Sequence, residues 1–597
     1  MTDEVEIRDV RSTDLFVGRE ERPLQVIRVT VGNRGEAAVV RGDTVRVHAD
    51  GDGVTTPEPV LLGDVEPGAE REVEIPVAVR AGEGERRRIV VTAEADAATS
   101  RARGELVVAT PGWTMHMVSH FHYDPVWWNT QAGFTATWYD LPEAVRERRS
   151  PAVRTALDLV RAHLDTARSD PDYKFVLAEL DYLKPYWDVH PEDRTDLREL
   201  MAAGRIELVG GMYNEPNTNL TSLESTIRNT IYGVGYQRDV VGGEPRTGWM
   251  LDVFGHDPSY PSIMADAGLT SSSWARGPFH QWGPRLTVGD NARMQFPSEF
   301  EWVGPDGRGL LTSYMPNHYS AGWWFQDLRT LEEAEEKAHE LFQDLRKVAA
   351  TRNVLLPVGA DHVIPSRWAT EIHRDWNKRY VWPRFVVALP REFFGAVRED
   401  AARRHLTFSP QSRDMNPVYT GKDVSYIDTK QAQRAAEVAL TDAEKLATLM
   451  ALLGARYPAE AIDKGWRQLC FNAHHDGITG TESDQVYLDL LGGWREAYEL
   501  GDDVRDRAIA HLAGHVDTRG EGRPVLVLNT LSWPRTDVTA VTAAFSAPGP
   551  AGVGVRDEVG GAVSAVVEGE TRHGDGTLAE VRLAFVAADV PATGYRT

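Results

Sequence analysis

Cysteine is almost missing from this chain: Cys470 is the only one in 597 residues, which excludes an intrachain disulfide framework. Long apolar runs are missing too, since none approaches the ~20 residues that cross a bilayer. The first residues, Met1-Thr-Asp-Glu-Val-Glu6, carry neither the basic nor the apolar part of a secretion signal. Positive charge is scarce. Against 89 Asp and Glu stand 65 Lys and Arg, and the net charge of -24 has the wrong sign for a phosphate backbone. These absences predict a soluble cytoplasmic protein without nucleic-acid or membrane partners, and they leave homo-oligomerisation open. The chain is well supplied with core material. With 42% hydrophobic residues and 17 Trp it reads as filled globular domains, and its length calls for three or four of them.

Four regions follow from the patterning. Residues 1–110 predict an all-β accessory domain, a β-sandwich: Gln25–Val31 and Val73–Val79 partly alternate, turn residues fill the gaps, and no acids or histidines cluster. Residues 111–425 read as short apolar strands, each followed by a helical segment. The strand candidates are Met115–Val118, Phe175–Ala178, Ile206–Val209, Trp249–Leu251, Ser271–Trp274, Leu310–Tyr314, Val354–Val358 and Phe385–Ala388, with helices such as Ala152–His163 and Leu331–Val348 between them. Repeated β-then-α units imply a parallel sheet, open or closed as a barrel, with its ligand at the carboxyl ends of the strands. Residues 426–515 predict a helical bundle carrying a Gly/Thr-rich loop. Residues 516–597 predict the start of a C-terminal β domain that is cut short.

Polar residues stand at nearly every strand end: His122 and Asp124, Glu179, Asn214 and Glu215, Asp252, Arg276, Tyr319 and Asp361. In His120-Phe-His122-Tyr-Asp124-Pro-Val-Trp127, His122 and Asp124 are two apart, so on an extended segment both face one way and reach one metal ion. Two further fragments offer similar chemistry: Asp252-Val-Phe-Gly-His256-Asp257, and His474-His475-Asp476-Gly-Ile-Thr-Gly-Thr481. One His-x-Asp is commonplace on a surface. Three such fragments in one chain predict a site.

These motifs, with Gly210-Gly211 before an acidic patch and Asn529-Thr-Leu-Ser-Trp533, resemble glycoside hydrolase family 38, the retaining α-mannosidases, over roughly residues 113–535. The resemblance implies a seven-stranded parallel βα barrel, a three-helix bundle and C-terminal β domains; the N-terminal β-sandwich flanking them is an addition that the family's eukaryotic members do not suggest. It implies one zinc ion per chain, held by His122, Asp124, Asp252 and His475, a mixed nitrogen and oxygen set that suits zinc. Asp252 would also be the nucleophile of a retaining exo-mannosidase acting on terminal α-mannosides of oligosaccharides, through a covalent mannosyl-Asp intermediate. Trp127 would stack under the sugar, with Arg276, Asp476, Tyr319 and Asp361 binding substrate. The general acid falls to Asp327, the only carboxylate in the stretch from Tyr314 to Asp327. It would lie on a mobile Trp-rich loop pivoting at Gly322, and His318 and Asp361 are the alternatives.

Plainer roles compete at several positions. His256 is expected to be structural, and so is His474 beside its neighbour His475, as are His116 and Cys470. Glu179 is balanced between a helix cap and a functional acid, and Trp323 and Trp324 between a sugar subsite and loop packing. Two other functions are weighed. A zinc carbohydrate deacetylase would use strand-end His and Asp ligands with a metal-activated water, but would not need the late His-His-Asp loop. A non-catalytic sugar-binding module would not need every nucleophile and ligand position filled.

Overall fold

The computed structural model of the protein describes residues 5–35, 40, 45–95, 98–135, 157–278, 294–417 and 420–597. The expected helix start at 152–156 therefore lies outside the described residues. Two compact units form, Met1–Ile427 with Ala473–Asp489, and Asp428–Asn472 with Leu490–Thr597.

The first unit begins with eight antiparallel strands: β1 (Val5–Arg19), β2 (Arg22–Asn33), β3 (Arg46–Gly51), β4 (Val54–Thr55), β5 (Val60–Leu61), β6 (Glu70–Val79), β7 (Arg86–Ala95) and β8 (Ala98–Val107). They pair in the order β1-β2-β6-β4-β3-β7-β8, with β5 beside β3. Alternate residues Ile27, Val29, Val31, Val47, Ile75, Val77 and Val91 point inward and are buried, while Arg and Glu occupy much of the other face.

Parallel strands follow. β9 (Thr114–Ser119), β10 (Phe175–Leu177), β11 (Ile206–Leu208), β16 (Asn353–Val358) and β17 (Arg384–Val387) make one five-stranded sheet centred on β9. All of Met115–Ser119 is buried, as a parallel strand covered on both faces requires. A second five-stranded sheet holds β12 (Thr247–Met250), β13 (Ser271–Trp274), β15 (Gly309–Tyr314), β14 (Glu299–Val303) and β18 (Pro410–Gln411). The eight expected strands are thus present, but not as one closed seven-stranded barrel. The described pairings give two sheets. Between β11 and β12 the connection is one backbone bond, Gly210 N–H to Thr247 C=O at 2.9 Å. Gly210 and Gly211 both have positive φ, 89° and 71°, and turn the chain out of the extended geometry that a ladder needs. The antiparallel β14 escaped the sequence reading, which sought strands followed by helices.

The N-terminal sheet docks on the parallel one within this unit. Phe16 N–H donates to Trp382 C=O, Val381 N–H to Phe16 C=O, both at 2.8 Å, and Leu15 and Val26 enter the core around Met115, Trp376 and Phe385. Asp14 is buried at this junction, 2.8 Å from His339 Nε2 and 2.6 Å from Arg346 Nη1. Burial would raise its pKa, but these two partners pull it below the ordinary carboxylate value.

In the second unit, residues 428–452, 459–472 and 490–513 of three helices supply the long segments expected of a bundle. Gly501 lets two of them approach closely, since a Cβ there would meet the Ala439 carbonyl carbon at 2.9 Å. Strands Arg535–Ala544, Leu578–Val590 and Ala565–Arg572 then form an antiparallel sheet. Among the described residues no helix is long and apolar enough to cross a membrane.

Candidate active site

Three sequence-distant fragments meet at the carboxyl end of β9. The first extends that strand: His122 and Asp361, the latter just past β16, bridge in parallel, with His122 N–H on Ala360 C=O at 3.0 Å. The second follows β12, where Asp252 N–H donates to Glu215 Oε2 (3.0 Å) and Phe254 N–H to Asn217 Oδ1 (2.8 Å). The third is a short helix, His475–Thr479, entered through His474 and closed by Gly480 with φ 74°. Its entry is fixed by a bridge between Pro216 and His474. Ser483 N–H on Trp127 C=O (2.8 Å) ties the chain after this helix back to the first fragment.

The side chains converge. His122 Nε2 is 2.8 Å from Asp124 Oδ1 and 4.0 Å from Asp252 Oδ2, and His475 Nε2 is 3.2 Å and 3.6 Å from the same two oxygens. All four residues are buried. His122 Nε2, Asp124 Oδ1 and His475 Nε2 have no aligned hydrogen bond, although burial makes an unmade bond costly. Four atoms ~2.1 Å from one centre in a tetrahedron stand ~3.4 Å apart, and the observed separations bracket that value. Two imidazoles and two carboxylates at this spacing, three of them with an unsatisfied atom, fit a divalent metal of the zinc type.

Electrostatics separates the acids. Burial would raise the Asp252 pKa, but Arg276, paired with its Oδ1, together with His475 and His122, holds it well below the usual range. Asp361 stands at the mouth, exposed to solvent on one side and surrounded by protein on the other, with Tyr319 O–H on its Oδ1 at 2.7 Å. Burial, with Asp124 and Asp252 adding to it against His122, pushes Asp361 up to about 6. Asp476 is buried, accepts from Thr481 Oγ1 at 2.5 Å, and is pushed up chiefly by burial. Trp127 is half-buried beside Asp124.

Several expectations change. Asp327 is exposed after the 3-10 helix Ala321–Phe325, and among the described residues no hydrogen bond or ion pair joins it to the cluster. Nor does that helix read as a loose loop: a Cβ on Gly322 would meet Pro357 O at 2.5 Å, and Phe325 lies in the core. Trp324 is exposed and Trp323 half-buried. His474 does not turn away. Its Nε2 is 3.4 Å from Asp124 Oδ1, because the kink into the short helix sends both rings the same way, 4.0 Å apart. Glu179 occupies an N-cap position yet makes no cap bond, and both its oxygens are unsatisfied. His256 holds the Arg276 carbonyl at 3.0 Å and His116 the Asn353 amide oxygen at 3.1 Å, both structural contacts.

Comparison with known proteins finds two family models that between them match residues 112–512. One described as glycosyl hydrolases family 38 N-terminal domain matches residues 112–422, and one described as alpha mannosidase middle domain matches 418–512. Alpha-mannosidase 2C1 of Mus musculus is 23% identical over 72% of this chain. A putative mannosylglycerate hydrolase of Halalkalibacterium halodurans is 22% identical over 70% of it. The chain spans only 37% and 45% of these two proteins. In fold it is similar to an alpha-mannosidase from Enterococcus faecalis, with TM-score 0.60 and 21% identity over 81% of this chain and 55% of that one.

Proposed function

Since the chain belongs to glycosyl hydrolase family 38, whose N-terminal domain model covers more than half of it, we propose that it is a retaining exo-glycosidase releasing mannose from terminal α-mannosides. The observation that carries this reading is the convergence of the buried, unsatisfied atoms of His122, Asp124 and His475 on the arginine-paired Asp252.

Asp252 is the nucleophile. Its Arg276 partner keeps it ionised, and a weakly basic carboxylate attacks an oxocarbenium-like carbon better than it removes a proton, so a mannosyl-Asp252 ester forms and water then hydrolyses it. Asp361 is the proton donor and acceptor, in place of Asp327. It reaches the mouth of the cluster, Tyr319 orients it, and it can protonate the leaving oxygen and then take a proton from water. Trp127 offers a ring face to the sugar, and Asp476 and Tyr319 offer hydroxyl contacts. A zinc ion held by His122, Asp124, Asp252 and His475 would supply Lewis-acid charge stabilisation and grip adjacent sugar hydroxyls, rewarding a cis-diol. No comparison favours the deacetylase alternative.

The test is a panel of aryl α- and β-glycosides, mannose oligosaccharides and mannosylglycerate, with and without chelator. Chelator-sensitive release of mannose from α-mannosides, with α-mannose as the first product by proton NMR, is expected. Early β-mannose would overturn the retaining assignment, and activity confined to N-acetyl groups would overturn the reaction class.

A further inference from the structure

Three of the four proposed ligands are held by one residue that is not among them, and we infer that Glu215 is the positioning residue of the site, an inference that rests on the mannosidase reading. Glu215 is buried on the segment after β11. Its backbone carbonyl accepts from both His475 N–H (3.1 Å) and His475 Nδ1 (3.0 Å). With Nδ1 committed to that carbonyl, the lone pair of His475 lies on Nε2, facing Asp124 and Asp252. The Glu215 side chain performs two further tasks. Oε2 accepts the backbone N–H of Asp252 at 3.0 Å, fixing the strand end from which the nucleophile projects. Oε1 lies 3.7 Å from His122 Nδ1, and neither atom has another hydrogen-bond partner.

That last distance is long for a hydrogen bond, but both atoms are buried and unsatisfied, in a space they share with the carboxyl of Glu179. Carboxylate–imidazole contacts of this kind fix the tautomer and raise the basicity of the opposite nitrogen. One residue thus aims His475 through its main chain, and Asp252 and His122 through its side chain. The division makes a specific claim. Changing the side chain leaves the His475 contact intact and loosens Asp252 and His122 together.

The experiment compares wild type with Glu215→Gln and Glu215→Ala, loaded with Zn2+ in competition with a chromophoric chelator, and with Co2+ for visible absorption. Glu299→Gln serves as the control, because Glu299 is an equally buried carboxylate that holds the Ala350 N–H (2.8 Å) away from the cluster. Zn2+ affinity should fall roughly 10- to 100-fold in Glu215→Ala, and less in Glu215→Gln, which keeps an acceptor for Asp252 N–H. The Co2+ bands should shift in both. Glu299→Gln should lose stability without moving affinity or spectrum. On an aryl α-mannoside, Glu215→Gln should lower kcat more than it changes KM. Unchanged Zn2+ affinity and Co2+ spectrum in both Glu215 variants would overturn the inference while leaving the mannosidase reading standing. A wild type that binds no divalent metal would sink that reading first. Should Glu215→Ala fail to fold, the isosteric Gln variant decides.

Discussion

Two buried sites in the first unit are built from the same residue types and differ in charge balance. At the junction with the N-terminal sheet, Asp14 sits between His339 and Arg346, so one carboxylate has a permanent cation and an imidazole within 3 Å. At the end of β9, Asp124, Asp252, Glu215, Glu179 and Asp476 are buried together, and Arg276 is the one Arg or Lys paired among them in the described residues. The first arrangement sets two basic groups against one carboxylate, whose Oδ2 is ion-paired with Arg346 though without an aligned hydrogen bond, and it holds two layers together. The second is short of positive charge and leaves imidazole and carboxylate atoms unsatisfied. Incomplete satisfaction of buried polar groups marks where a ligand belongs, because folding alone would not retain it.

Substitution should break this contrast most sharply at Asp252. Asp252→Ala removes nucleophile and ligand, and kcat on an aryl α-mannoside should fall ~10⁴-fold or more. A fluorosugar that traps the glycosyl-enzyme should label Asp252 in wild type. Finding the label on another carboxylate would reassign the nucleophile.

Next comes the proton donor. Asp361→Ala should lose ~10²–10⁴-fold on alkyl mannosides and far less in the first step with a dinitrophenyl mannoside, whose phenolate needs no proton. Added azide should then speed turnover and give a mannosyl azide. Asp327→Ala should stay within a few-fold of wild type on both substrates. The reverse pattern would return the role to Asp327.

Metal should act on the cluster and leave the junction untouched. Zn2+ added to metal-stripped protein should raise the unfolding midpoint, since a ligand of the native state stabilises it by mass action. His475→Ala should abolish that rise, and Asp14→Ala should not. An equal response in all three would mean that the metal binds elsewhere.

The smallest effect on chemistry, though not on stability, is expected at the junction. Asp14→Ala leaves Arg346 and His339 unpartnered and should cost ~2–4 kcal/mol in denaturant unfolding, toward the low side for a broken buried pair because both partners are partly exposed. The folded-state pKa of Asp14 is depressed, so its stabilisation is fully present above the unfolded value of about 3.9 and is lost as pH falls through the lower folded value. The gap between wild type and Asp14→Asn should therefore be constant near neutrality and close below about pH 4. A gap that persists undiminished at pH 2 would show that packing, not charge, holds the junction.

The residues that meet at the cluster stood in short fragments whose spacing carried meaning: i, i+2 on a strand for His122 and Asp124, and a strand end for Asp252. The proton donor proposed above was harder to read. Asp327 is the next carboxylate along the chain from Tyr319, but a tight 3-10 helix intervenes and leaves it in solvent. Asp361 is 42 residues away from Tyr319 and within 2.7 Å of it. Glu215 gave only an acidic residue after a strand, since its work depends on where its carbonyl and both its oxygens point.

The sequence by itself determined the composition of the strands and helices, the alternation that buries the N-terminal sheet, and the ligand-type residues at strand ends, because these depend on side-chain identity and on periods of two and 3.6 residues. Tertiary structure decided that the parallel strands divide into two sheets at Gly210 and Gly211. It also decided that both neighbouring histidines, His474 and His475, turn toward Asp124, and that Asp361 rather than Asp327 lies beside Tyr319. Those outcomes depend on hydrogen bonds and charge between residues tens to hundreds of positions apart, and such distances are set by packing and leave no local mark in the chain.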